Sequence, residues 1–365
     1  PHPPMPETPT TTLSVYSPRP TLRVNGQAVE KVSALLLAME MTEQEGGMSS
    51  LELRFSNVAS NPQGGAGWAF EDGESLTLGA EIAFYGGDET APQEIFRGVI
   101  TALEADFPEE SPPELVVLAE DGLQPGRMAR RSQTYTDVSL RDIAEAIANR
   151  LGLRPVITGL SDTIGTRVQL NESDLAFLRR LLHRYDADVQ VVGEELQVSP
   201  RNDVRRGQLE LTLHSQLRRA RVIADLAQQV TEVTVGGWNP DQGRAVLGTS
   251  RGDAPGPGGG QTGAQLLRQA IAERPHHISH LAVGTDDEAQ ATAAAAFDQR
   301  ARRFVVVQGC AEGNPALRVG THVTLTGLGP RFENTYYVVR ACHRYDLHQG
   351  YETEFEAESA FWGGR

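Results

Sequence analysis

The chain has 365 residues, and with glycine counted its apolar share falls in the ordinary globular range, which excludes disorder over most of its length and gives a prior of two or three domains. Its 48 acidic side chains outnumber 33 basic ones for a net charge of −15, which argues against sequence-specific or wrapping contact with nucleic acid through phosphates. No apolar run approaches the ~20 residues of a membrane span, so no integral membrane contact is expected, and two cysteines, Cys310 and Cys342, are too few for a disulfide framework or a four-thiolate zinc site.

Residues 1–20 are rich in proline and threonine and read as a flexible tail, without the basic and apolar stretches of a secretory signal. Residues 21–130 read as a first antiparallel β domain. It opens on Thr21–Val29, a hairpin around Asn25-Gly26, and continues through strand-like Ser50–Ser56, Ser75–Tyr85, Glu94–Phe107 and Glu114–Glu120. Residues 131–205 read as a small α/β domain with two helices. Ser139 caps the first, with Asp142 in its first turn, an apolar stripe of Ile143, Ile147 and Leu151, and Gly152 at its end. The second starts at Ser173 and sets Leu175, Leu178, Leu181, Leu182 and Tyr185 on one face. A hairpin over Asp188–Val198, turning at Gly193-Glu194, closes this unit. Residues 206–240 and 303–361 form a second β domain. Residues 241–302 interrupt it as an inserted flexible loop and a helix, Asp286–Arg302, whose acidic start suits a helix N-terminus.

The two β regions share a pattern. Leu76-Thr-Leu-Gly79-Ala-Glu-Ile82-Ala-Phe84 lies over Leu317-Arg-Val-Gly320-Thr-His-Val323-Thr-Leu325, and Phe96-Arg-Gly98-Val-Ile100 over Phe332-Glu-Asn334-Thr-Tyr336. Gly79 and Gly320 would sit at tight turns or bulges, while Gly98 and Asn334 are residue types that tolerate a positive φ.

No nucleophile elbow, Walker phosphate loop, dinucleotide fingerprint or H-E-x-x-H occurs. Gly256–Gly260 lacks the Lys-Ser/Thr of a phosphate cradle. His276 and His280 could share a helical face, but no third metal ligand has suitable spacing, and Pro275 argues for a turn. Alternation puts Cys342 and His343 on opposite faces of a strand. Arg251-Gly252-Asp253 matches an adhesion tripeptide in a flexible loop. Paired carboxylates such as Glu109-Glu110 and Asp286-Asp287 read as solvated surface. The sequence thus offers no catalytic, cofactor-binding or metal-binding residues, and no enzyme activity is expected.

Four stretches carry a family resemblance. They are Leu317-x-x-Gly320-x-x-Val323-x-Leu325-x-Gly327-x-Gly329-Pro-x-Phe332; Tyr336-x-Val338-x-x-Ala341-x-His343 with Gly350-Tyr351-x-Thr353-x-Phe355; Gln169-x-Asn171-Glu172-Ser173-Asp174-Leu175-x-Phe177-Leu178; and Val233-x-Val235-x-Gly237-Trp238-Asn239-Pro240. In this order they resemble the phage late control D proteins, the baseplate hubs of contractile tails and injection systems, similar to the hub half of VgrG spike proteins. The resemblance implies a mainly β fold with α+β insertions, two related antiparallel β-barrels plus a small helical α+β domain, and a homotrimeric ring. It also implies that the ring adapts a sixfold tail tube to a threefold spike. Implied partners are the tube protein, other baseplate components and a spike, expected as a separate polypeptide because no spike segment follows Arg365. Assembly would take place in the bacterial cytoplasm, and the product would be part of a phage tail or injection particle. The alternatives are a cell-wall-degrading tail hydrolase and a surface-adhesion module.

Overall fold

The computed structural model describes residues 20–60, 65–87, 92–252 and 256–363, so the tail, apart from Pro20, and Asp253 of the adhesion tripeptide lie outside the described residues. Alternating apolar residues dictate most of the rest. The first β region contains strands β1 (Thr21–Val24), β2 (Leu36–Gln44), β3 (Ser50–Ser56), β4 (Glu81–Gly86), β5 (Gln93–Asp106) and β6 (Glu114–Asp121). Leu51, Leu53 and Phe55 of β3 point inward with the period of two that a one-sided sheet requires, and meet Leu22, Phe84 and Phe96 in one core. Asn25 and Gly26 take φ of 49° and 78°, the left-handed pair that a two-residue hairpin turn needs.

Helices α1 (Leu140–Leu151) and α2 (Asp174–Arg184) follow, then strands β7 (Ala187–Val192) and β8 (Glu195–Pro200), around a second core. The Ser139 hydroxyl accepts from the Asp142 N–H while the Asp142 carboxylate accepts from the Ser139 N–H, and Gly152 ends α1 at φ 71°. The chain continues through β9 (Gly207–Thr212) and β10 (Leu217–Ala224). It then enters an inserted unit of β11 (Glu232–Asn239), β12 (Arg244–Ser250), α3 (Gly263–Ala270), β13 (Pro275–Ile278) and α4 (Asp286–Arg302), and returns through β14 (Val305–Glu312), β15 (Thr321–Thr326), β16 (Asn334–Asp346) and β17 (Gly350–Ser359). Among the described residues, no helix is long and apolar enough to cross a membrane.

The strand order in the first region is β1-β4-β5-β6-β3-β2, and in the second β9-β15-β16-β17-β14-β10. Position for position these are the same arrangement, except that β9 runs parallel to β15 whereas β1 runs antiparallel to β4. Irregularities recur at equivalent places. The register slips between Leu36 and Ala38 and between Leu217 and Arg219; it slips again between Ile100 and Ala102 and between Val338 and Arg340. Gly79 (φ 84°) donates its N–H to the Ile100 carbonyl at 2.9 Å, and Gly320 (φ 88°) donates to Val338 at 3.0 Å. The duplication legible in the sequence is therefore a duplication of the fold.

Several expectations change. Among the described residues no strand pairing closes either region into a barrel; both belong to one open thirteen-stranded sheet, joined where β2 pairs with β16. The ladder makes Gly98 equivalent to Tyr336, because Ile82 faces Gly98 and Val323 faces Tyr336. Laying Phe96 over Phe332 is thus two residues out of step, a slip that keeps side chains on the same face and so escapes an apolar pattern. Neither Gly98 nor Asn334 has a positive φ. The strand at 232–239 pairs with β12 and β13, not with the large sheet. It belongs with α4 and a core of Val233, Val235, Val246, Ala293 and Phe297, so the described part of residues 241–302 carries much more order than a loop and a helix. The glycine run is held too: Gly259 donates to Asn334 Oδ1 at 3.1 Å, and Asn334 Nδ2 returns a bond to the Gly259 carbonyl at 3.0 Å.

Candidate functional site

The place where chemistry concentrates is the seam between the repeats. Here β2 and β16 pair from Gln44 opposite Arg340 to Ala38 opposite Asp346. Glu43 of β2 is buried, and Arg318, just before the turn at Gly320, grips it with Nε at 2.8 Å and Nη2 at 2.6 Å while the Val319 N–H adds a third bond at 2.6 Å. Burial pushes the Glu43 carboxyl up, but the Arg318 charge and these hydrogen bonds outweigh it and hold it below its ordinary value. On the outer face, Arg344 of β16 meets Glu40 of β2 at 3.1 Å.

His343 lies fully buried beside this pair, with Nδ1 2.7 Å from the Tyr351 hydroxyl and 3.3 Å from Thr353 Oγ1. Burial, then the nearby Arg318 charge, push its pKa down from 6.5 to about 3. The ring is therefore neutral at pH 7. The unfolded chain binds a proton here below about pH 6.5 that the folded chain refuses, so this residue costs stability as pH falls toward 3. In His343→Asn, unfolding free energy measured against urea should lose less on acidification than in the parent, by about 1.4 kcal/mol per pH unit between pH 6 and 4. Parallel pH profiles would contradict the burial of a neutral imidazole.

A second knot joins the remaining units. Arg201, after β8, stacks 3.0 Å from the Tyr337 ring centroid, pairs with Glu45 beyond β2, and reaches Glu358 of β17 at 2.9 Å. Arg302 at the end of α4 holds Asp186, between α2 and β7, with bonds of 2.7 and 2.5 Å. Arg206 holds Asp188 of β7 at 3.1 Å. Arginine suits such buried positions because its planar fork satisfies a carboxylate bidentately.

The residues singled out by pattern separate by place in the fold. Gly320, Tyr336, His343 and Tyr351 converge on the seam and the core beneath it, where the Tyr336 hydroxyl donates to the Phe332 carbonyl at 2.6 Å. Gly327 (φ 80°) and Gly350 (φ 72°) form turns of the second repeat, as Gly79 does in the first. Phe96 fills the first core, and a side chain at Gly98 would meet the Glu120 carbonyl oxygen at 2.1 Å. Asn171 (φ 48°), Asp174 and Phe177 organise the small domain. Buried Asp174 accepts from Arg150 and Gln169, and Phe177 stacks on Tyr135 at 5.4 Å. Trp238 stands apart, exposed on β11 at the rim of a cleft of about 1400 Å³ between the small domain and the insert. Glu43, Arg318, Arg201 and Arg302, which knot the units together, are residues that pattern does not reveal. Their only sequence signal is a surplus of arginine over the single lysine, Lys31.

His276 lies on strand β13, not on a helix shared with His280. Cys310, Glu352 and Glu354 approach one another closely enough to hold an ion, but Arg218, Arg219 and Arg344 already pair with the two carboxylates. Burial, then the Glu352 charge, push the Cys310 thiol up to about 11, which disfavours the thiolate a metal requires.

A family model described as "Alg8 N-terminal domain" matches residues 56–346. It is not the late control D family of the motif resemblance. No curated protein matches the chain. Among solved structures, the chain is similar to the 43 kDa tail protein of prophage MuSo2 from Shewanella oneidensis, at 13% identity and a TM-score of 0.69, over 94% of this chain and 98% of that one. It is similar to the tail protein from Neisseria meningitidis MC58, at 11% identity and 0.66, over 93% and 96%. It is also similar to the E. coli c3393 protein, described as a type VI secretion component with structural similarity to phage T4 tail proteins gp27 and gp5, at 13% and 0.60, over 94% and 79%. At such identities the likeness is one of fold: this chain is folded as phage tail proteins are.

Proposed function

The chain belongs to the family of the Alg8 N-terminal domain, matched over residues 56–346, and from its duplicated fold and its likeness to tail proteins we propose that it is a non-enzymatic baseplate hub of a contractile tail or injection system. In this reading three copies form a ring that joins a sixfold tail tube to a threefold spike. The observation that carries it is the duplicated fold, matched in strand order, register slips and the glycine bonds of Gly79 and Gly320. Two equivalent repeats per chain in a threefold ring present six similar surfaces to one neighbour and three to the other, the geometry a symmetry adaptor needs. The tail-protein fold and the motif resemblance support the same reading. The arginine–carboxylate knots fit a part that transmits force, since each fixes one unit against another. The test is co-sedimentation of the purified protein with a tail tube protein. A complex of three chains bound to the tube end is expected; a monomer at micromolar concentration that binds neither tube nor spike would overturn the proposal.

A further inference from the structure

The seam inside the chain has an empty counterpart on its outside. Within the chain, β2 of the first repeat adds to the part of β16 that extends beyond β15. By the matched registers, the equivalent of β2 is β10, and the equivalent of residues 340–346 of β16 is residues 102–108, at the end of β5 and just past it. Among the described residues, β10 pairs only with β14 along 219–224, and no strand lies on the far side of β5 beyond Ile100. Burial records the difference. Ala341, Cys342, His343 and Tyr345 are buried, whereas their counterparts Leu103, Glu104, Ala105 and Phe107 are exposed, Phe107 at 64%.

We propose that these two open edges bind each other between copies, β10 of one chain adding to residues 102–107 of the next. The inference rests on the ring reading above and names its interface. Transferring the internal register sets Ala224 opposite Leu103, Val222 opposite Ala105, Arg221 opposite Asp106 and Ala220 opposite Phe107; the ladder ends at Pro108, which has no N–H to donate. Arg221 and Asp106 occupy the positions of Glu40 and Arg344, which form the ion pair across the internal seam, with the charges exchanged. Neither makes an ion pair within the described chain. The exchange also selects the partner. Pairing β10 with a second β10 would bring Arg219 and Arg221 against like charges, and pairing β5 with β5 would oppose Glu104 and Asp106, both unfavourable across a ladder. The contact is therefore head-to-tail, repeat two onto repeat one, and it closes only as a ring. It also covers two edges that would otherwise invite indiscriminate strand addition.

The experiment compares association of the full chain with Arg221→Glu, Asp106→Arg and the doubly exchanged variant by sedimentation velocity, with urea midpoints confirming that each chain is folded. Both singles should raise the dissociation constant of the trimer at least about tenfold, and the double exchange should restore it. Assemblies longer than three chains that show the same loss and rescue would support the interface. A trimer indifferent to all three variants would overturn this interface and leave the ring reading standing. A parent that stays monomeric would overturn both.

Discussion

Glu43→Ala should lower the unfolding free energy by about 3–5 kcal/mol, because it strands the Arg318 guanidinium beside a buried imidazole with no countercharge. The loss is an effect of uncompensated charge, not of a missing attraction. Glu43→Leu combined with Arg318→Met should therefore recover most of it, since removing both charges also removes their desolvation penalty. The Val319 N–H then loses its acceptor, which leaves a residual cost of about 1 kcal/mol. Urea unfolding of the single and double variants decides the matter. Equal losses in the two would show that the pair acts through its attraction, and a loss below about 1 kcal/mol in Glu43→Ala would show that the seam is solvated.

Gly98→Ala carries the second large effect. An added Cβ would lie 2.1 Å from the Glu120 carbonyl oxygen and 2.7 Å from the Phe96 ring, with backbone on one side and a core aromatic on the other. Neither is a flexible chain end that can step aside, so the β5–β6 ladder must open locally. The expected cost is about 3 kcal/mol, at the upper end for overpacking, read as a fall in melting temperature. Gly79→Ala is the instructive contrast: open space surrounds its Cβ position, but its φ of 84° is strained for any side chain, so about 1 kcal/mol is expected. A Gly98→Ala variant as stable as the parent would contradict the packing described.

Local features were readable from the residues that make them. Ser139, Asp142 and Gly152 mark α1 because caps act within four residues. Gly79 and Gly320 announce matching turns because a positive φ restricts residue type. Long-range choices were not readable. Val233 and Val235 alternate like any strand, and nothing in them says that β11 pairs with β12 and β13 instead of the large sheet. The partner of Glu43 lies 275 residues away, and a carboxylate destined for burial looks like a solvated one until its arginine is placed. By residue type Gly98 suggests conformational freedom; it is glycine because another strand's carbonyl passes too close for a side chain.

The central claim is that two equivalent repeats in each of three chains make one continuous ring, and electron cryomicroscopy of the purified assembly tests it most directly. The account predicts a threefold particle with six similar lobes around an opening, in which β10 of each chain runs beside residues 102–107 of its neighbour. A reconstruction of single chains, or of an oligomer in which the two repeats of a chain do not occupy equivalent positions about one axis, would contradict it.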